Sequence, residues 1–240
     1  MSLFDFRRLK GKVPFSRVLE IATDVLPILK CLHGLGFVHR DVKPHNIMLD
    51  INGKARLIDF GLAKRFLNED GAHMPLASSK FVAGTYYFMS QNVVCGTTHS
   101  RRDDIESLLY SLLYVLEGRL PWPTMLELRS ECSEDEASKE ILKRRKELRN
   151  SRIARSFPQG LREIYKIVRK LTFDEEPPYE TFLVLLEHAK LKGESKLLSA
   201  PKMLGGKKSI RKARSAETDI LRSNRTDKSH ELLDIISGAM

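Results

Sequence analysis

His39-Arg40-Asp41-Val42-Lys43-Pro44-His45-Asn46-Ile47-Met48-Leu49-Asp50-Ile51-Asn52-Gly53-Lys54-Ala55-Arg56-Leu57-Ile58-Asp59-Phe60-Gly61 is the stretch from which the rest of the chain is read. At its centre Asn52-Gly53 lies between two apolar runs, Ile47-Met48-Leu49 and Ala55-Arg56-Leu57-Ile58. Asn and Gly tolerate positive φ, so this pattern predicts a β-hairpin. The hairpin returns Asp59-Phe60-Gly61, which begins 13 residues after Asn46, to the neighbourhood of His39–Asn46.

On the N-terminal side, Val18, Ile21, Ala22, Val25, Ile28, Leu29 and Leu32 recur at three- and four-residue steps. They predict an amphipathic helix over 15–35 with Ser16 as N-cap, a kink at Pro27, and Gly34 and Gly36 closing it. On the C-terminal side, 60–99 reads mostly as loop, and a loop that long in a compact protein is usually functional. Ile105, Leu108, Leu109, Leu112, Leu113 and Leu116 predict a helix buried on most sides. Residues 127–150 read as a charged helical stretch, and its run Lys143-Arg144-Arg145-Lys146 as a solvated helix face. Two more amphipathic helices are expected over 161–171 and 179–191, separated by Pro177-Pro178.

Composition bounds the class. The chain has 240 residues, 42% of them apolar, and a formal net charge of +10. That apolar share excludes a wholly disordered chain. Three Cys far apart argue against a disulfide framework or a zinc site, and for a reducing, intracellular compartment. No apolar run reaches the eighteen or so residues of a spanning helix. From 193 onward Lys202, Lys207, Lys208, Arg211, Lys212 and Arg214 lie in a Ser-rich, apolar-poor segment. This 193–240 stretch is expected to be a flexible basic tail, a solubilising segment or a nuclear-import patch, giving a cytoplasmic or nuclear location. No aromatic residues interleave the run, so nucleic-acid readout is not expected.

The motifs carry a resemblance. His39–Asn46 fits the H-R-D-x-x-x-x-N loop of eukaryotic protein kinases, and Asp59-Phe60-Gly61 their D-F-G. Within that group the chain resembles casein kinase I, through Ser100-Arg101-Arg102-Asp103-Asp104-Ile105-Glu106-Ser107, Leu120-Pro121-Trp122, Phe173-Asp174 with Pro177 and Tyr179, and Ser90-Gln91-Asn92 where most kinases carry Ala-Pro-Glu. The resemblance implies a serine/threonine kinase that transfers the γ-phosphoryl of magnesium ATP to protein hydroxyls. Asp41 would accept the hydroxyl proton, Lys43 would offset charge on the phosphoryl, and Thr85 would bond both. Asn46 and Asp59 would hold Mg2+, and Met48 would lie under adenine. Arg40, Lys64 and Lys80 would bind an anion. Asp104 would tie down the His-Arg-Asp backbone.

The implied fold is mainly α: a protein-kinase-like C-terminal lobe over 1–192 with a small β-hairpin, then the basic tail. The 38 residues before His39 match the first helices of that lobe, and no Gly-rich loop or Val-Ala-Ile-Lys segment is found. The N-terminal lobe is therefore expected to be missing. An alternative reading follows, a catalytically impaired lobe that acts as a protein-binding module, with a partner on the apolar surface that would face an N-lobe. Three positions depart from the family, among them Pro27, unusual in the helix before the catalytic loop. Tyr87 replaces an Arg that helps recognise phosphate already on a substrate, and Leu109 replaces a Gly in the central helix, which requires repacking.

Overall fold

The computed structural model describes residues 1–78, 84–124, 127–128, 133–147 and 157–198. Helix α1 (Leu3–Lys10) is capped by Ser2, whose hydroxyl accepts from the Asp5 amide. Helix α2 (Phe15–Gly34) follows, with Val18, Ile21, Ala22, Val25 and Leu29 buried as their spacing requires. Its N-cap is Pro14, not Ser16, so the helix starts without a side-chain cap. Pro14 sits at φ −60°, close to the angle its ring imposes, and Ser16 falls inside the first turn. The helix continues through Pro27, since the apolar stripe on either side of the missing donor is buried in one core. Gly36 takes φ +84° just past its end.

Four short strands form two antiparallel pairs among the described residues. Strand β1 (Phe37–Val38) pairs with β4 (Lys64–Arg65), and β2 (Ile47–Leu49) with β3 (Ala55–Leu57). The second pair is the expected hairpin, in the register Ile47↔Leu57 and Leu49↔Ala55. Its connection is a five-residue loop rather than a two-residue turn. The Asp50 carboxylate accepts from the Asn52 and Lys54 amides, both at 2.9 Å, and Gly53 supplies φ +78°. Between 60 and 99 the described chain is mostly loop, with β4 and a short helix α3 (Gln91–Val94).

Helix α4 (Arg101–Glu117) is buried along nearly its whole length, as its sequence predicts. Leu109 sits in the core at 2% exposure, so the core accommodates a large side chain at this position of α4. Helices α5 (Glu134–Glu147), α6 (Gln159–Val168) and α7 (Tyr179–Leu198) complete the element order. α2 packs on both α4 and α7, and α6 packs on α7. Gly160 is needed at that last contact, since a Cβ there would lie 2.7 Å from the Leu185 carbonyl oxygen. α7 runs six residues beyond the boundary expected at 192, and the rest of the expected tail, 199–240, lies outside the described residues.

The basic run on α5 is not a uniformly solvated face. Lys143 and Arg144 are exposed, but Arg145 is 1% exposed. Ala137, Ile141 and Arg145 share one four-residue stripe that faces the core. The Arg145 guanidinium lies 4.5 Å from the Trp122 ring centre and 5.1 Å from that of Tyr110, and it donates to the Met89 carbonyl. A desolvated cation over two rings contributes about 2 kcal/mol or more, and truncation would add a cavity. Arg145→Ala is therefore expected to lower unfolding stability by about 2–4 kcal/mol in urea titration, with Arg144→Ala close to neutral.

Candidate active site

The site is built on the turn between β1 and β2. Arg40 stands at φ 68° and Asp59 at φ 64°, left-handed conformations that cost a non-glycine residue energy and persist where neighbours over-determine them. At Arg40 the neighbour is Asp104 on α4. One carboxylate oxygen accepts from the His39 amide at 2.6 Å and the other from the Arg40 amide at 2.9 Å. The first oxygen also bonds His33 Nε2 at 2.9 Å. Burial alone would raise the Asp104 carboxyl, but the hydrogen bonds from His33 and the His39 amide outweigh it and the net shift is downward. Asp104 thus does what its place in the S-R-R-D-D string led us to expect.

Asp41 follows directly, with 8% exposure. Its Oδ2 accepts from Lys43 Nζ at 2.6 Å and from Asn46 Nδ2 at 3.1 Å, and its Oδ1 accepts from the Thr85 amide at 2.8 Å. Lys43 Nζ also donates to Thr85 Oγ1 at 2.9 Å. The four residues singled out as catalytic are therefore one hydrogen-bonded group. Thr85 can reach it because Gly84 precedes it: at φ +103°, a Cβ on Gly84 would lie 2.3 Å from the Arg40 carbonyl oxygen. Burial pushes the Asp41 carboxyl up, yet the hydrogen bonds from Lys43 and Thr85 prevail and set it below the ordinary 3.8.

The hairpin brings the second acid back. Ile58 donates its amide to the Asn46 carbonyl at 2.9 Å, His39 Nε2 bonds the Ile58 carbonyl at 3.1 Å, and the His39 and Phe60 rings meet edge-on at 5.2 Å. Asp59, between Ile58 and Phe60, is exposed. Asn46 spends its side-chain nitrogen Nδ2 on Asp41, which leaves its side-chain oxygen Oδ1 for a cation, with the exposed Asp59 carboxylate on the neighbouring segment. Hard oxygen donors of this type fit Mg2+. Met48 is half-buried on β2 opposite Arg56 and bridges to Ser2 on its other side.

A cleft of about 330 Å³ collects Arg40, Lys64, Arg65, His73, His99 and Phe173. Two of the three expected anion-binding residues, Arg40 and Lys64, therefore face one cavity, and Arg40 Nε is held by the Leu62 carbonyl at 2.6 Å. Lys80 lies outside the described residues. Arg65 and His73 were missed in the sequence. Arg65 could have been found from its place beside Lys64, whereas nothing local marks His73.

Tyr87 brings no cation. Its hydroxyl accepts from the Leu120 amide at 2.8 Å, its carbonyl accepts from Trp122 Nε1 at 3.0 Å, and burial pushes the phenol up. The segment Ser90-Gln91-Asn92 is anchored through Glu106, which accepts from the Gln91 amide at 3.1 Å and pairs with Arg169 Nη1 at 2.7 Å.

A protein kinase domain model matches residues 1–189. The chain is 31% identical over 223 residues to a probable casein kinase I homologue of Encephalitozoon cuniculi, a match that covers 90% of this chain and 64% of that protein. It is 32% identical over 193 residues to casein kinase I homologue 2 of Saccharomyces cerevisiae, covering 77% of this chain and 34% of that protein. The chain thus spans 64% and 34% of the lengths of these two relatives.

Proposed function

Because the chain belongs to the protein kinase family, and within it to casein kinase I, we propose that it transfers the γ-phosphoryl of magnesium ATP to Ser or Thr hydroxyls of protein substrates. The observation that carries this reading is the ionised, nearly buried Asp41 held by Lys43, Asn46 and Thr85 on the loop next to Asp59. ATP with its metal supplies the phosphoryl and neutralises charge as it moves. Asn46 and Asp59 would hold the metal, and Met48 would lie against adenine. Asp41 accepts the hydroxyl proton, Lys43 offers positive charge to the transferring group, and Thr85 fixes the carboxylate. Arg40 and Lys64, with Lys80, would take an anionic group beside this loop. With Tyr87 bonded into the wall, that position offers no cation to a phosphate already on a substrate.

We read the described fold as the C-terminal lobe of the kinase. The site faces outward on its hairpin side, where Met1, Ile58 and Leu62 expose 48%, 37% and 37% of their surface. A covering lobe or a protein partner would rest there. No helix among the described residues is long and apolar enough to cross a membrane. The Cys usage and the basic 193–240 segment support a location in the cytoplasm or nucleus.

The test is phosphate transfer from labelled magnesium ATP to a Ser/Thr peptide, together with thermal stabilisation by magnesium ATP. Transfer supports the kinase; a folded chain with neither transfer nor stabilisation leaves the lobe as a binding module. The pH profile adds a check. A carboxyl lowered on folding is ionised above its unfolded pKa of 3.8 and protonates only as pH falls through its lower folded value. The acid limb of kcat governed by Asp41 should therefore fall below about pH 4, with its stabilising contribution intact above that range. An acid limb near pH 6 would contradict this assignment of the base.

A further inference from the structure

We propose that Tyr179 is a positioning residue for the His39–Asp41 turn, acting through His33 and Asp104; its value to the reaction rests on the kinase reading above. His33 is a buried ring on α2 with two partners. Its Nδ1 bonds the Tyr179 hydroxyl, and its Nε2 bonds Asp104 Oδ2 at 2.9 Å. That same oxygen accepts from the His39 amide at 2.6 Å, and its twin from the Arg40 amide at 2.9 Å. A continuous polar path therefore runs from the first residue of α7 to the backbone just before Asp41. It crosses 146 positions between Tyr179 and His33 and 71 between His33 and Asp104.

The hydroxyl does something a phenyl ring could not. Tyr179 is 3% exposed and the His33 and Asp104 side chains are each 1% exposed, so water does not stand in for a lost partner. Nε2 faces the buried Asp104 carboxylate, an acceptor, so the ring proton belongs there, and Nδ1 of the neutral ring accepts from the Tyr179 hydroxyl. Without the hydroxyl, Nδ1 becomes a buried acceptor with no donor. The competing tautomer, with its proton on Nδ1, would turn a bare lone pair toward the Asp104 carboxylate. Either outcome loosens the group that holds Arg40 at φ 68°.

Tyr179 is itself well placed to carry such control. Pro177 and Pro178 precede it, and its amide donates to the Pro177 carbonyl at 2.9 Å. The next residue, Glu180, is ion-paired to Lys30 on α2, three positions before His33. The seating of α7 on α2 is thus reported to the active-site turn by two side chains.

The test uses Tyr179→Phe in the full chain and does not require activity. Amide exchange at His39 and Arg40 should accelerate about tenfold, while the β2 and β3 amides stay within about twofold of the parent. Unchanged exchange at those two amides, or acceleration spread evenly over the hairpin, would overturn the proposal. Should Tyr179→Phe not fold, His33→Gln takes its place. Its amide keeps one donor and one acceptor, so protection at His39 and Arg40 should exceed that of His33→Ala, and equal loss in the two variants would overturn the proposal. Where the parent transfers phosphate, Tyr179→Phe should lower kcat about tenfold with the KM for magnesium ATP nearly unchanged. A parent without transfer refutes the kinase reading and leaves the exchange result to decide this one.

Discussion

Asp41→Asn is expected to reduce kcat about 10²–10⁴-fold, the range associated with a positioned general base. The change is close to isosteric, so the loss is chemical. The carboxylate uses both oxygens: Oδ1 takes the Thr85 amide, and Oδ2 takes Lys43 Nζ and Asn46 Nδ2. An asparagine has one acceptor oxygen and one amide nitrogen. Whichever way it turns, an N–H₂ group faces a donor that the carboxylate had satisfied. If the oxygen keeps Thr85, the nitrogen confronts the Lys43 ammonium and the Asn46 amide. Asn46 should then shift, and the magnesium dependence of the residual rate with it. Thermal unfolding should fall modestly, because Lys43 Nζ and Asn46 Nδ2 lose their acceptor while the surrounding core is untouched. Steady-state transfer with labelled ATP decides the matter, and a variant within about threefold of the parent would remove Asp41 from the reaction.

Asp104→Ala is expected to cost about 3–5 kcal/mol of stability. The carboxylate receives three buried donors, the His39 and Arg40 amides and His33 Nε2. Each buried group left unpaired costs about 1–3 kcal/mol, and no solvent reaches a site at 1% exposure. A typical domain holds about 5–15 kcal/mol in total, so the variant should approach the limit of folding. At roughly 2–4 °C per kcal/mol for a domain of this size, Tm should drop by about 10 °C. Asp104→Asn keeps one acceptor oxygen and should lose less. Urea titration of the three proteins gives the order parent, Asn, Ala; an alanine variant within about 1 kcal/mol of the parent would show that Arg40 holds its conformation without this carboxylate.

The parts of the site that were legible in the sequence share a physical property. They lie on one short segment, where side-chain identity and spacing fix position almost unaided. Asp41, Lys43 and Asn46 fall within six residues, and Asn52-Gly53 announces the fold that returns Asp59. α4 was legible because six apolar residues at helical spacing admit one burial pattern. Legibility fails where a partner is distant or where composition masks geometry. Nothing near His33 or Tyr179 indicates that they meet. Arg145 was hidden inside four consecutive cations, since charge alone does not tell which of them falls on the stripe of Ala137 and Ile141. At Pro14, residue preference for hydroxyl caps favoured Ser16, while the fixed φ of proline determined where the helix begins.

The loop organised by Asp50 changes what the interval between Asn46 and Asp59 means. In a strand, side chains alternate faces, so sliding one strand by a single residue turns every side chain over. With Leu49 opposite Ala55 and Ile47 opposite Leu57, the register carries on to Asn46 beside Ile58, and the left-handed backbone of Asp59 ends the alternation there. The return of Asp59 beside Asn46 therefore depends on strand register and not on the 13-residue length of the interval. Residues 50–54 form a compact tip where Ile51 is fully exposed, and extra residues there leave the strand alignment intact. One residue inserted within Ile47–Leu49 or Ala55–Leu57 shifts this register and carries Ile58, with Asp59 after it, away from Asn46. Related chains of this family should therefore vary in length at the tip and not within the six paired positions.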